Sequence, residues 1–134
     1  MCLAVYIASD IELPLVPWNK AKPSFHVSEL TYNKGVRKQF SLDNVRVAGS
    51  DAGCGCGFLK DGVVGQELVE ALDNYAGLAA YISELQSRDG AIQIFSCWEG
   101  DQEMTIEFNE IIKVNDLLAE DFEFKERALY EVTQ

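Results

Sequence analysis

One stretch of this chain repeats with a helical period, and the segments on either side of it do not. Leu68, Leu72, Tyr75, Ala79 and Ile82 recur at steps of four and three, flanked by Val69, Ala76 and Leu85, which lays an apolar stripe along one side of a helix. Glu67 and Glu70 at its start and Arg88 near its end suit the helix dipole, and Gly90 supplies a stop. The spacing predicts a helix over about residues 65–88. Such a stripe must be buried against something, and the rest of the sequence offers strands.

Residues 3–8, Leu-Ala-Val-Tyr-Ile-Ala, form a short apolar run that reads as a buried strand. Pro14 and Pro17 make the next segment an extended loop. Residues 25–32 and 36–42, joined by Asn33-Lys34-Gly35, are expected to pair as a hairpin. Residues 45–49 alternate as a strand that runs into a glycine-rich segment. Beyond the helix, residues 91–98 and 104–108 are expected to form an antiparallel hairpin, with residues 111–114 extending it. Asn115 is placed to cap a short helical turn towards Glu120, and residues 122–133 read as one or two final strands. Strands flanking one helix, without regular alternation of strand and helix, predict an α+β fold: a mostly antiparallel sheet packed on one long helix, in a single domain spanning residues 1–134.

The 134 residues suffice for a core without disulfide or metal support. An apolar fraction of 48% and a charged fraction of 25% fit a globular chain rather than a disordered or fibrous one. No apolar run reaches the length of a membrane span, and no basic stretch precedes the apolar N-terminus, so the expectation is a cytoplasmic protein that does not engage a membrane. The net charge of −11 is uneven, with +2 on residues 1–60 and −13 on residues 61–134. Without clustered Lys and Arg, nucleic acid is not an expected partner. The acidic second half suits a solvated surface, a basic protein partner or a charge-governed homo-oligomer.

In a reducing compartment the four cysteines are expected to be free thiols, metal ligands or redox groups rather than a disulfide framework. Two of them stand in Gly53-Cys54-Gly55-Cys56-Gly57-Phe58. Thiols at i and i+2 share one side of an extended backbone, roughly 6 to 7 Å apart along the chain, and the surrounding glycines let the loop curl so that both sulfurs can face one ion. Zn²⁺ or an iron-sulfur cluster usually takes four ligands. Cys54 and Cys56 supply two, and Cys97, Cys2 and the only histidine, His26, are the remaining candidates. Two other readings fit the same residues: a bend that needs glycine, with the cysteines as small buried apolar groups, or a nest of backbone N–H groups for an anion.

Cys54-Gly55-Cys56-Gly57 resembles the Cys-Gly-Cys-Gly signature of the A-type iron-sulfur carriers, in which two such cysteines and a third far upstream hold a cluster between subunits. That resemblance implies Cys54 and Cys56 as ligands, with Cys2 as the upstream cysteine. The opening Met-Cys-Leu together with Gly-Cys-Gly-Cys-Gly-Phe is also similar to small uncharacterised bacterial proteins, over about the first 60 residues, and implies no activity.

Cys2 opens a different possibility. Freed of Met1, its thiol could attack a carbonyl with its own α-amino group as base, and Met-Cys before a strand looks like the start of several N-terminal nucleophile hydrolases. The remaining polar features, including Glu99, Asp101 and Glu103 at a predicted turn, read as solvated surface, and Trp18 and Trp98 as packing residues. The sequence as a whole reads as a small binding protein rather than an enzyme. Its Cys-Gly-Cys loop is expected to hold a soft metal or cluster or to act as a redox thiol pair, the alternatives being a Cys2 hydrolase or a structural or interaction protein with an acidic surface.

Overall fold

The computed structural model describes residues 2–134. Six strands, β1 (Leu3–Ser9), β2 (His26–Glu29), β3 (Asn44–Gly49), β4 (Ile92–Trp98), β5 (Phe108–Lys113) and β6 (Ala128–Thr133), form one sheet in the order β2-β3-β1-β4-β6-β5. Every pairing is antiparallel except β5 with β6. One helix of 21 residues, α1 (Gln66–Gln86), packs against the sheet, as the α+β expectation requires. Among the described residues no helix is long and apolar enough to cross a membrane.

The central strand explains itself. A run with no polar alternation is suited only to burial on both faces, and all seven residues of β1 are buried. Leu3, Val5 and Ile7 join the core under α1, while Ala4, Tyr6 and Ala8 join a second cluster on the other face. The helix buries Ala71, Tyr75, Leu78, Ala79, Ile82 and Leu85, whereas Val69 is exposed and Leu68 and Leu72 only half-buried, so the stripe meets the sheet from its second turn onward.

Two expected hairpins are not formed. Residues 36–42 are not a strand: Lys34–Gln39 make a 3-10 turn, entered through Asn33 in the left-handed region at φ 54°. The turn buries Val36 and lays Phe40 and Leu42 over the second face of the sheet, a use that needs no alternation, and these residues show none. β2 pairs instead with β3. Residues 104–107 do not pair with β4, because β6 occupies that side of β4 from Ile92 to Ser96. Gln39 Nε2 donates to the carbonyls of Gln102 and Met104 at 2.9 and 2.7 Å, which holds the segment in a turn. β5 begins later, at Phe108, and lies parallel to β6 on the sheet's outer edge. A short helical turn is found at Val114–Leu118, but Asn115 does not cap it: the turn starts earlier, with Lys113 at the cap position and its N–H held by Asp116, and it buries Leu117 under α1.

Beneath the helix, Phe58, Tyr75, Phe122, Phe124 and Tyr130 form an aromatic cluster with ring centroids 5.0 to 6.0 Å apart. Tyr75 supplies its polar bond: the hydroxyl donates to the Phe58 carbonyl at 2.8 Å and accepts from the Phe124 N–H at 3.2 Å. Burial pushes its pKa far above the ordinary tyrosine value, so it remains a donor at any physiological pH. Removing this oxygen leaves two buried backbone groups without a partner. Tyr75→Phe is therefore expected to cost about 1–3 kcal/mol of stability, read as a lower urea midpoint at unchanged slope.

Candidate functional site

The glycine-rich segment is shaped by Ser50, the residue after β3. The backbone N–H of Ser50 donates to the Cys54 carbonyl at 2.9 Å, and its hydroxyl donates to the same carbonyl. The Gly53 N–H donates to the Ser50 carbonyl at 3.0 Å, and the Gly57 N–H donates to Ser50 Oγ at 2.9 Å. The chain thus reverses over residues 50–54, with Gly53 at φ 83° as L side chains seldom allow, and then enters a 3-10 turn at Gly55–Phe58. From α1, Asn74 binds both sides of the reversal: its Oδ1 accepts from the Asp51 N–H at 3.1 Å, and its Nδ2 donates to Asp51 Oδ1 at 2.8 Å and to the Gly57 carbonyl at 3.2 Å. Phe58, fully buried, anchors the far end in the aromatic cluster.

Gly55 decides where this loop sits. A Cβ there would stand 2.5 Å from the Leu3 carbonyl oxygen and 3.2 Å from Val5 Cγ2, so only a glycine lets the loop lie against the start of β1. The residue before Leu3 is Cys2. As a result the Sγ atoms of Cys2, Cys54 and Cys56 all lie within 4.8 Å of one another, Cys2 exposed and the other two half-buried. Such a group could hold a metal ion. The Cys56 N–H also donates to Cys54 Sγ at 3.4 Å, and hydrogen bonds of this kind tune thiolate metal sites. The Gly53, Cys56 and Gly57 N–H groups bond within the loop, which removes three of the donors an anion nest would need.

The other two candidate ligands are not in this group. Cys97 lies on β4 opposite Ala4, fully buried in the core on the second face. Burial, reinforced by the nearby Glu99 and Asp101 charges, pushes its pKa up to about 12, so it stays a thiol. His26 lies on β2 opposite Gly49, over which its ring packs so closely that a Cβ at that glycine would collide with it. Its Nδ1 is 3.2 Å from the Ser24 carbonyl oxygen, and the Trp18 ring is 6.2 Å away between centroids.

Sequence reasoning missed the surroundings of Cys56. This cysteine lines an open cavity of about 360 Å³ whose wall also includes Asp51, Glu67 and Glu70. The two glutamates are legible in the sequence as helix-dipole residues, but only the packing of α1 on the loop makes them neighbours of the thiol. Ser50 and Asp51 carried one usable signal, the side-chain-to-backbone bonding that Ser and Asp favour before a glycine-rich turn.

Fold and site together define a small α+β domain with three clustered thiols at one end of its central strand. Comparison with protein-family models, with curated proteins and with solved structures gives no match.

Two outcomes follow from the geometry. Gly55→Ala is expected to cost about 1–3 kcal/mol, as overpacking does, and to separate Cys2 from the loop, detected as slower Cys2–Cys56 cross-linking by a short bis-maleimide. In native protein at pH 8, iodoacetamide is expected to alkylate Cys2, Cys54 and Cys56, and to reach Cys97 only after unfolding, as read by peptide mass mapping.

Proposed function

We propose that this chain is a metal-binding protein in which the thiolates of Cys2, Cys54 and Cys56 hold one soft cation such as Zn²⁺. The observation that carries the reading is the convergence of Cys2 with the distant pair Cys54 and Cys56, all three sulfurs within 4.8 Å of one another. Three thiolates on a tetrahedral zinc at 2.3 Å stand about 3.8 Å apart, a separation that side-chain rotation at the half-buried cysteines can reach. Thiolate sulfur selects soft cations over Mg²⁺ and Ca²⁺, and the neighbouring Asp51, Glu67 and Glu70 add negative charge on the same side.

Closed four-ligand zinc sites are structural, whereas three protein ligands leave a position for water or an incoming group. With Cys2 exposed, the fourth position belongs to solvent or to a ligand from another molecule. The function this supports is reversible holding of a metal that can be passed on, rather than catalysis by the protein. Each ligand must lose a proton to bind, so affinity is expected to fall as pH falls, with up to three protons released per metal.

The test is a Co²⁺ titration of anaerobically reduced protein, followed by Zn²⁺ displacement. The expected result is one equivalent with sulfur-to-cobalt charge-transfer absorption, weakened at least about 10-fold in Cys2→Ser and in Cys54→Ser and unchanged in Cys97→Ala. Binding that survives both serine variants, or no binding near stoichiometry, would sink the reading.

A further inference from the structure

The two edges of the sheet are finished differently. At the β2 edge, Val16 forms a bridge with Val27 through two backbone hydrogen bonds of 2.9 and 3.0 Å, so that edge is covered. At the other edge lies β5, and among the described residues no strand pairs with its outer side. Thr133 Oγ1, on β6, donates to the Ile112 carbonyl at 3.2 Å, which places the backbone groups of Ile112 on the inner side. Since backbone N–H and C=O groups of a strand alternate sides, those of Asn109, Ile111 and Lys113 face outward. Among the described residues, the Lys113 N–H is taken by Asp116 Oδ2 at 2.8 Å and the Lys113 carbonyl opens the 3-10 turn Val114–Leu118, which leaves the backbone groups of Asn109 and Ile111 open. The side chain at the middle of this open edge is Ile111, 78% exposed.

We infer that β5 pairs with β5 of a second copy of this chain, antiparallel and centred on Ile111, joining the two sheets into one. Of the registers centred on Glu110, Ile111 or Ile112, this one alone lets Ile111 exchange both backbone bonds with an unoccupied partner without opposing like charges. For two copies related by a two-fold axis through the sheet, opposed residues must lie on the same face, so the axis passes through a residue. Centred on Glu110 the pairing opposes two like charges, which is unfavourable. Centred on Ile112 it sets the exposed Ile111 against Lys113. Centred on Ile111 it places Ile111 on Ile111, Glu110 on Ile112 and Asn109 on Lys113, with no like charges directly opposed, and Ile111 directs both its N–H and its C=O at its counterpart. Three of the four basic residues in the acidic half, Lys113, Lys125 and Arg127, stand on β5 or just before β6. Lys125 is paired with Glu110 at 2.9 Å and Arg127 with Glu107.

Sedimentation equilibrium in chelator and reductant tests this without involving the thiol site. The mass of the native chain is expected to rise with concentration from 14.9 kDa towards twice that value. Ile111→Lys, which opposes two lysines across the axis, should hold it at 14.9 kDa with an unchanged circular dichroism spectrum, while Val64→Lys, equally exposed at 78% in the loop before α1, should leave association intact. In a chain with Cys2, Cys54 and Cys56 replaced by serine, Ile111→Cys should form a disulfide-linked dimer on mild air oxidation, because directly opposed residues of a hydrogen-bonded pair have Cα atoms about 5.5 Å apart. A native chain that stays monomeric throughout, a dimer that survives Ile111→Lys, or one that Val64→Lys abolishes equally would overturn the inference.

Discussion

The structure depends on the burial of β1 on both faces and its pairing on both edges. Its seven residues match β4 along their whole length on one side and β3 along five positions on the other. Leu3, Val5 and Ile7 meet the helix, and Ala4, Tyr6 and Ala8 meet the 3-10 segment that covers the second face. Each later element takes its place from this strand. The same burial delivers Cys2 to a fixed position, since the residue before a fully ordered strand has little freedom; its carbonyl accepts from the Glu99 N–H at 2.8 Å, which ties it to the end of β4 as well.

That fixed point gives the glycine loop its significance. Glycine is expected wherever a strand must turn sharply into another element, so Gly53 at φ 83° says only that the chain bends. Gly55 says more, because its constraint is a contact with the Leu3 carbonyl rather than a backbone angle. The bend could be made with the loop held away from β1. Close approach of the two backbones is what sets the cysteines beside Cys2.

The sequence was most legible where a single element determines its own pattern. The stripe along α1 and the apolar run of β1 follow from burial alone, and with them the α+β class. The hairpins were less legible because pairing is decided by competition between strands. Residues 91–98 and 104–108 look like natural partners, but β6, remote in sequence, takes that side of β4. In the same way, the pair Cys54 and Cys56 was visible as a motif, and Cys2 stood beside Cys97 and His26 as a candidate for the third ligand, singled out only by the resemblance to the iron-sulfur carriers. Neither Cys97 nor His26 could be set aside from sequence, since what distinguishes them is the side of the sheet that buries Cys97 and the glycine over which His26 packs.

The order of strands also bears on whether metal binding and self-association can influence each other. The thiols gather at the end of β1, and β5 lies three strands away through β4 and β6, roughly 14 Å across the sheet at the usual spacing. A second copy added beyond β5 extends the sheet further from β1, so it supplies no ligand at the thiols and covers none of them. Coupling between the two would have to pass through β4 and β6, which are held by five register pairs and packed on both sides. The fold therefore separates the clustered thiols from the open edge of the sheet.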